Sequence, residues 1–201
     1  MPADPPRVLV IGCGAMAREL LAVVARNGLE NMEVQCLPGR YHNTPQLIPA
    51  AVEERIIATR DDFERIFVAY GDCGTGGMLD RVLERHFVER LPGAHCYEFL
   101  SEAGLFAALH EAEPATFYLT DFLVRNFDLL VWRGLGLDRH PQLLSDYFGN
   151  YTRVMHLAQV DAPDLTEKAR EAAFRLGLAF ERRFVGYGDL EPALIQVAAH
   201  G

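Results

Sequence analysis

The chain is predicted to be an α/β protein: a doubly wound, mostly parallel sheet of Rossmann-like type with helices on both faces. Three observations predict this. Short apolar runs alternate along the chain with segments of helical spacing. The clearest runs, Arg7 to Ile11 (RVLVI) and Arg65 to Tyr70 (RIFVAY), are nearly continuously apolar, as strands buried on both faces require. Glycine, proline and asparagine punctuate the joins.

The elements follow in order. Arg7 to Ile11 is the first strand and runs into Gly12-Cys13-Gly14. Ala15 to Asn27 places Met16, Leu20, Val23 and Val24 at helical spacing, and Asn27-Gly28 ends that helix. Glu33 to Leu37 alternates like a second strand and stops at Pro38-Gly39. Asn43-Thr44-Pro45 reads as a cap with proline in the first turn, opening a helix to about Thr59. Arg65 to Tyr70 is the third strand, Gly71 to Gly77 a glycine-rich turn, Met78 to His86 a helix, and Val88 to Leu91 a fourth strand closed by Pro92-Gly93. Glu98 to Glu113 is helical with an interruption at Gly104. Thr116 to Thr120 favours strand, Asp121 caps the segment to Trp132, and Gly134 to Pro141 is a polar turn. Arg153 to Ala158, Asp164 to Leu176 and Ala179 to Val185 form a strand–helix–strand unit with Gly177 as the helix stop. No repeat or low-complexity tract interrupts the pattern. The expectation is a single α/β domain over 1–201, with a smaller lobe around 98–150.

Composition narrows the class of function. A net charge of −9 and a pI near 5.2 argue against nucleic acid or an anionic membrane as a partner. Met1 to Pro6 has no basic and apolar leader pattern, and no apolar run approaches the ~20 residues of a membrane span. Four cysteines without an export signal point to a cytoplasmic protein whose thiols serve as core residues, ligands or nucleophiles.

Three of those cysteines carry the functional reading. Cys13, Cys73 and Cys96 each sit in a Gly- or His-flanked turn where a strand is predicted to end. The carboxyl ends of strands in an open α/β sheet form the crevice where small-molecule ligands bind. Three soft donors meeting there make a metal site, with zinc preferred because no ferredoxin-type cysteine run is present; iron or an iron–sulfur cluster is the alternative. His42, after the second strand, is the expected fourth ligand. His95, adjoining Cys96, and Asp72 are expected to support the ligands from behind. Cys36, inside the second strand, is read as a small core hydrophobe. The lack of any Cys-x-x-Cys pair points to an open, catalytic type of site.

A competing reading uses the glycines. Gly12-Cys-Gly14-Ala-Met-Ala17 matches a dinucleotide turn, although no acidic residue ends the second strand. Gly12, Gly14, Gly71 and Gly74 are the candidate cofactor-binding positions on that reading. The lysine of a P-loop is absent from Gly71 to Gly77, and there is no Gly-x-Ser-x-Gly elbow. Asp121, Asp138, Arg139 and His140 are further polar candidates for the crevice, and Tyr147 to Tyr151 is read as core packing.

Leu37-Pro-Gly-Arg-Tyr-His42-Asn-Thr-Pro45, Tyr70-Gly-Asp-Cys73-Gly-Thr-Gly-Gly77, His95-Cys96 and Thr116-Phe-Tyr-Leu-Thr-Asp-Phe122 resemble the family termed domain of unknown function 1638. The likeness is expected to run from about Arg7 to Leu190. It implies that His42, Cys73 and Cys96 match a Leu-His-x-x-Pro, a Tyr-Gly-x-Cys and a His-x-Cys element, with Cys13 matching a cysteine after the first strand. Here His95 and Cys96 are adjacent, which makes His95 the weakest of these matches. The resemblance also implies a setting among corrinoid proteins and methyltransferases. The leading expectation is therefore a metal-binding enzyme or accessory protein in corrinoid-linked one-carbon metabolism. The alternatives are a non-catalytic module docking on a methyltransferase or corrinoid protein, and a nucleotide-binding enzyme.

Overall fold

The structure, a computed structural model, describes residues 6–199. Its regular elements are β1 Val8–Cys13, α1 Ala17–Arg26, β2 Met32–Leu37, α2 Leu47–Thr59, β3 Arg65–Ala69, α3 Met78–His86, β4 Glu89–Arg90, α4 Cys96–Leu100, α5 Ala103–Ala112, β5 Thr116–Thr120, α6 Asp121–Arg125, α7 Leu144–Phe148, β6 Arg153–Ala158, α8 Pro163–Leu176, β7 Ala179–Phe184 and α9 Leu190–Ala199. The α/β reading holds, with the strands shared between two parallel sheets. The chain divides into two compact units, one formed by residues up to Ala103 together with those from Tyr187 onward, the other by Gly104–Gly186.

In the first unit the strand order is β2-β1-β3-β4, with every pairing parallel. β1 is central and buried along its whole length, which is why its sequence is apolar at successive positions. Its register sets Gly12 opposite Cys36 on one side and Ala69 on the other. Val10, Ile11, Leu20, Ile48, Val52, Val68 and Leu79 belong to one continuous core. β4 is reduced to two residues, a short edge that offers little backbone for unwanted pairing.

The second unit carries the parallel order β5-β6-β7. Its core gathers Leu119, Val154, Phe148 and the buried face of α8, including Leu165, Ala169 and Leu176. Phe148 and Tyr151 each pack edge-on against Phe117 and tilted against one another, so this aromatic run is largely core, as expected, while Tyr147 is exposed. β7 is an edge strand that exposes Glu181 and Arg183.

Several boundaries differ from the sequence reading for identifiable reasons. The helix expected from Asn43 begins at Leu47, because Gly39–Asn43 forms a separate 3-10 turn. The break expected at Gly104 falls at Ser101–Glu102, where Glu102 takes a positive φ of 66°. Asp121 does not cap α6; Thr120 does, accepting the Leu123 N–H, and Asp121 turns inward. No helix among the described residues is long and apolar enough to cross a membrane.

Candidate functional site

The strand order of the first unit creates a particular place. From β1 the chain steps outward to β2 through α1, then returns past β1 to β3 through α2. With right-handed crossovers these two helices lie on opposite faces, so the connections diverge between the carboxyl ends of β1 and β3. Such a switch point leaves a crevice. Cys13 ends β1, and Cys73 follows β3 by four residues.

Cys13 is buried and serves as the N-cap of a 3-10 turn, Gly14–Met16. Its sulfur accepts the Ala15 N–H at 3.3 Å and stands 3.5 Å from Nδ1 of His42. The His42 ring, carried by the 3-10 turn after β2, stacks near-parallel to Tyr70 with centroids 6.3 Å apart.

Cys73 sits in the left-handed region at φ 49°, which an L side chain enters at a cost of roughly 1 kcal/mol. The surrounding backbone over-determines it. The Asp72 N–H donates to the Gly93 carbonyl at 3.0 Å, and the Cys73 N–H donates to the Ala94 carbonyl at 2.7 Å. These bonds tie the turn after β3 to the segment that delivers His95 and Cys96. Cys96 is therefore not in a turn at a strand end, as expected from sequence, but at the first residue of α4, with His95 as its extended N-cap.

Two glycines make the convergence possible. A Cβ on Gly71 would lie 3.0 Å from the His95 backbone, so only glycine lets the two segments touch. A Cβ on Gly14 would lie 2.9 Å from the Leu37 carbonyl oxygen. The close approach that Gly14 permits is thus taken up by the chain's own backbone after β2. Beside Gly12 the space is filled by the Leu20 side chain of α1. In the glycine-rich turn, the amides of Gly76 and Gly77 donate to the Asp72 carboxylate at 3.1 and 2.8 Å, and the Thr75 hydroxyl donates to it at 2.8 Å. Those donors, with the Gly77 amide foremost, hold the Asp72 carboxyl below its ordinary pKa. Asp72 therefore braces the turn carrying Cys73, and Gly74 takes a positive φ within it, against Pro45.

The thiols share one electrostatic environment. Burial raises all three pKa values, pushing Cys73 up to about 11, and the charge of Cys13 adds to the shift at Cys73. Cys96 responds to Cys73 and Cys13 in turn. Burial lowers the pKa of His42, against a smaller opposing pull from the Gly39 carbonyl, and so favours the neutral imidazole. As the side chains stand, no three His, Cys, Asp or Glu residues among those described are gathered at metal-holding distances.

Two neighbours of these thiols escaped the sequence reading and a third was misread. The Tyr70 hydroxyl lies close enough to Cys13 to affect its ionisation, yet it is buried and closes no hydrogen bond of ordinary geometry. Glu19 of α1 is buried and its charge reaches Cys96. Helical spacing could have placed Glu19 on the inward face, one residue before Leu20. Cys36 is the third. It is not a buried core residue: β2 is an edge strand, and Cys36 is exposed on it, although its charge still reaches Cys13 and Tyr70. Of the other polar candidates, Asp121 lies in the second unit and Asp138, Arg139 and His140 are in an exposed turn of that unit. One groove of the first unit, about 440 Å³ between Phe63 and Phe87, opens at the opposite edge of the sheet, near the starts of β3 and β4.

The first unit is thus a doubly wound parallel α/β fold with one buried and two half-buried thiols near its switch point. The family profile described as "Protein of unknown function (DUF1638)" matches residues 36–194, and the chain belongs to that family. The matched span includes His42, Cys73 and Cys96 and begins after Cys13, later than the Arg7 expected. No curated protein and no solved structure matches the chain.

Proposed function

We propose that the first unit is a thiolate site for one thiophilic metal ion, zinc or iron, held by Cys13, Cys73 and Cys96 with His42 as fourth donor. The observation that carries this reading is that separate segments deliver three desolvated thiols close enough for the charge of Cys13 to reach Cys73 and for both to reach Cys96, with a neutral-favouring imidazole 3.5 Å from Cys13. Thiols whose pKa is raised by desolvation are poor nucleophiles alone, and a cation is the natural counter-charge for them. Two of the three segments are already tied together, by the bonds from Asp72 and Cys73 to Gly93 and Ala94. A bound metal of this kind would acidify a thiol or water and hold it for group transfer. Around it, Tyr70 supplies a buried hydroxyl, and the apolar surroundings of Cys13 exclude water. The setting in corrinoid-linked methyl transfer, as an enzyme or an accessory protein, rests on the family resemblance.

The test is an anaerobic zinc titration of the reduced protein against a chromophoric chelator, with proton release followed in weak buffer. About one zinc per chain should bind with loss of protons, because protonated thiols must ionise to coordinate. Cys73→Ser and Cys96→Ser should weaken binding by at least tenfold, while Cys36→Ser leaves it unchanged. Equal affinity across all four proteins would refute the site.

A further inference from the structure

The second unit contains a buried polar group that the thiol chemistry does not use. His156 on β6 and Asp121, immediately after β5, are both completely buried, with His156 Nε2 2.8 Å from an Asp121 carboxylate oxygen. The other carboxylate oxygen accepts the Val160 N–H at 3.1 Å and lies 3.9 Å from Nη2 of Arg125. The Asp121 amide donates to Gln159 at 2.8 Å. On the other side of His156, its register partner on β7 is Arg182. Partners in a parallel pair project to the same face, so His156 and Arg182 share a face of the sheet, and Asp121 links His156 to Arg125 of α6.

Within this group three nitrogen atoms are buried without a hydrogen-bond partner: Nδ1 of His156, Nη1 of Arg125 and Nε of Arg182. Buried polar atoms are satisfied in the great majority of cases, and orphans of this kind mark a place for a water or an ion. Two of the three atoms belong to guanidinium groups that are always charged. The counter-charges only half answer them. Asp121 meets Arg125 at 3.9 Å without a hydrogen bond, and Asp161, which meets Nη2 of Arg182 at 2.8 Å, is 85% exposed. The two arginine side chains are 24% and 26% exposed, so each guanidinium-bearing side chain reaches the surface in part.

We propose that this face of the second unit binds the phosphoryl group of a small molecule, with Arg125 and Arg182 as charged donors and His156 as the third contact. Asp121 holds the imidazole by Nε2, which leaves Nδ1 for the ligand. A hydrogen phosphate suits Nδ1 in either state, since its oxygens accept from an imidazolium and its hydroxyl donates to a neutral ring. A carboxylate offers only the first.

The test is calorimetric titration of the full chain with inorganic phosphate and, separately, with acetate, at low chloride. Nitrogen-15 spectra of the imidazoles are recorded in parallel, with His156 assigned from its loss in His156→Gln. Phosphate should bind saturably and shift the His156 Nδ1 resonance. Arg125→Gln and Arg182→Gln should each weaken binding at least tenfold with the circular dichroism unchanged. Should either arginine variant fail to fold, its lysine counterpart, which keeps the charge but not the planar fork, should still weaken binding. Absence of saturable phosphate binding, equal binding of acetate, or unchanged affinity in the arginine variants would each overturn the proposal.

Discussion

Raising the pH should unfold this protein through its thiols, and Cys73 gives the magnitude. Its pKa rises from an ordinary 9.0 to about 11, chiefly through burial and secondarily through the charge of Cys13. Because the folded value is the higher one, the native state keeps its proton where the unfolded chain loses it. The contribution to stability is therefore intact below pH 9 and is lost as pH climbs through 11. Two units at 1.36 kcal/mol each make about 2.7 kcal/mol, a large share of the 5–15 kcal/mol that holds a typical domain. Cys13 and Cys96 shift in the same direction, so the decline should be steeper than one group alone produces. The assay is urea unfolding in reductant and chelator at half-unit steps from pH 8 to pH 11, followed by circular dichroism. Cys73→Ala should flatten the decline by about 2 kcal/mol or more, since it removes one titrating group and relieves Cys96. Parallel profiles for the two proteins would mean that the thiols are not buried together, and the reasoning would fail.

Other outcomes follow from single positions. Gly71→Ala places a methyl 3.0 Å from the His95 backbone and should lower the melting temperature, whereas Gly104→Ala, with open space around it, should leave stability unchanged or raise it by up to about 1 kcal/mol; thermal melts of the pair compare them directly. Cys36 is exposed, so one thiol per chain should react rapidly with a disulfide reagent at pH 8, that reaction should vanish in Cys36→Ala, and the substitution should change stability by less than about 0.5 kcal/mol. Phe87 ends α3 in the left-handed region while 91% exposed. Phe87→Gly should therefore stabilise the protein by about 1 kcal/mol in urea unfolding, and a loss instead would show that the ring has a partner.

Much of the fold was legible because its signals are local. β5 and α3 fall at the residues their patterns indicate, and Gly177 stops α8 with the positive φ that a glycine end demands. The four cysteines, His42 and the glycine turns could likewise be picked out by type and flanking residues. By itself, then, the sequence determined an α/β chain of parallel strands, with Cys13 at the end of the first and Cys73 in the turn after the third. The tertiary structure decided what depends on distance across the fold. Strands divide between two sheets because β5 to β7 build a core of their own, a matter of which apolar faces meet rather than of any local run. Cys36 is exposed because β2 is at an edge, and alternation along a strand cannot reveal its place in the sheet. Gly14 and Gly71 look like ligand cradles in the sequence, yet neighbouring backbone fills the space beside each. Asp121 looks like a cap until folding places His156 2.8 Å away, 35 residues along the chain. Burial and contact between distant segments set the chemistry of these groups, and neither is a property of the residue alone.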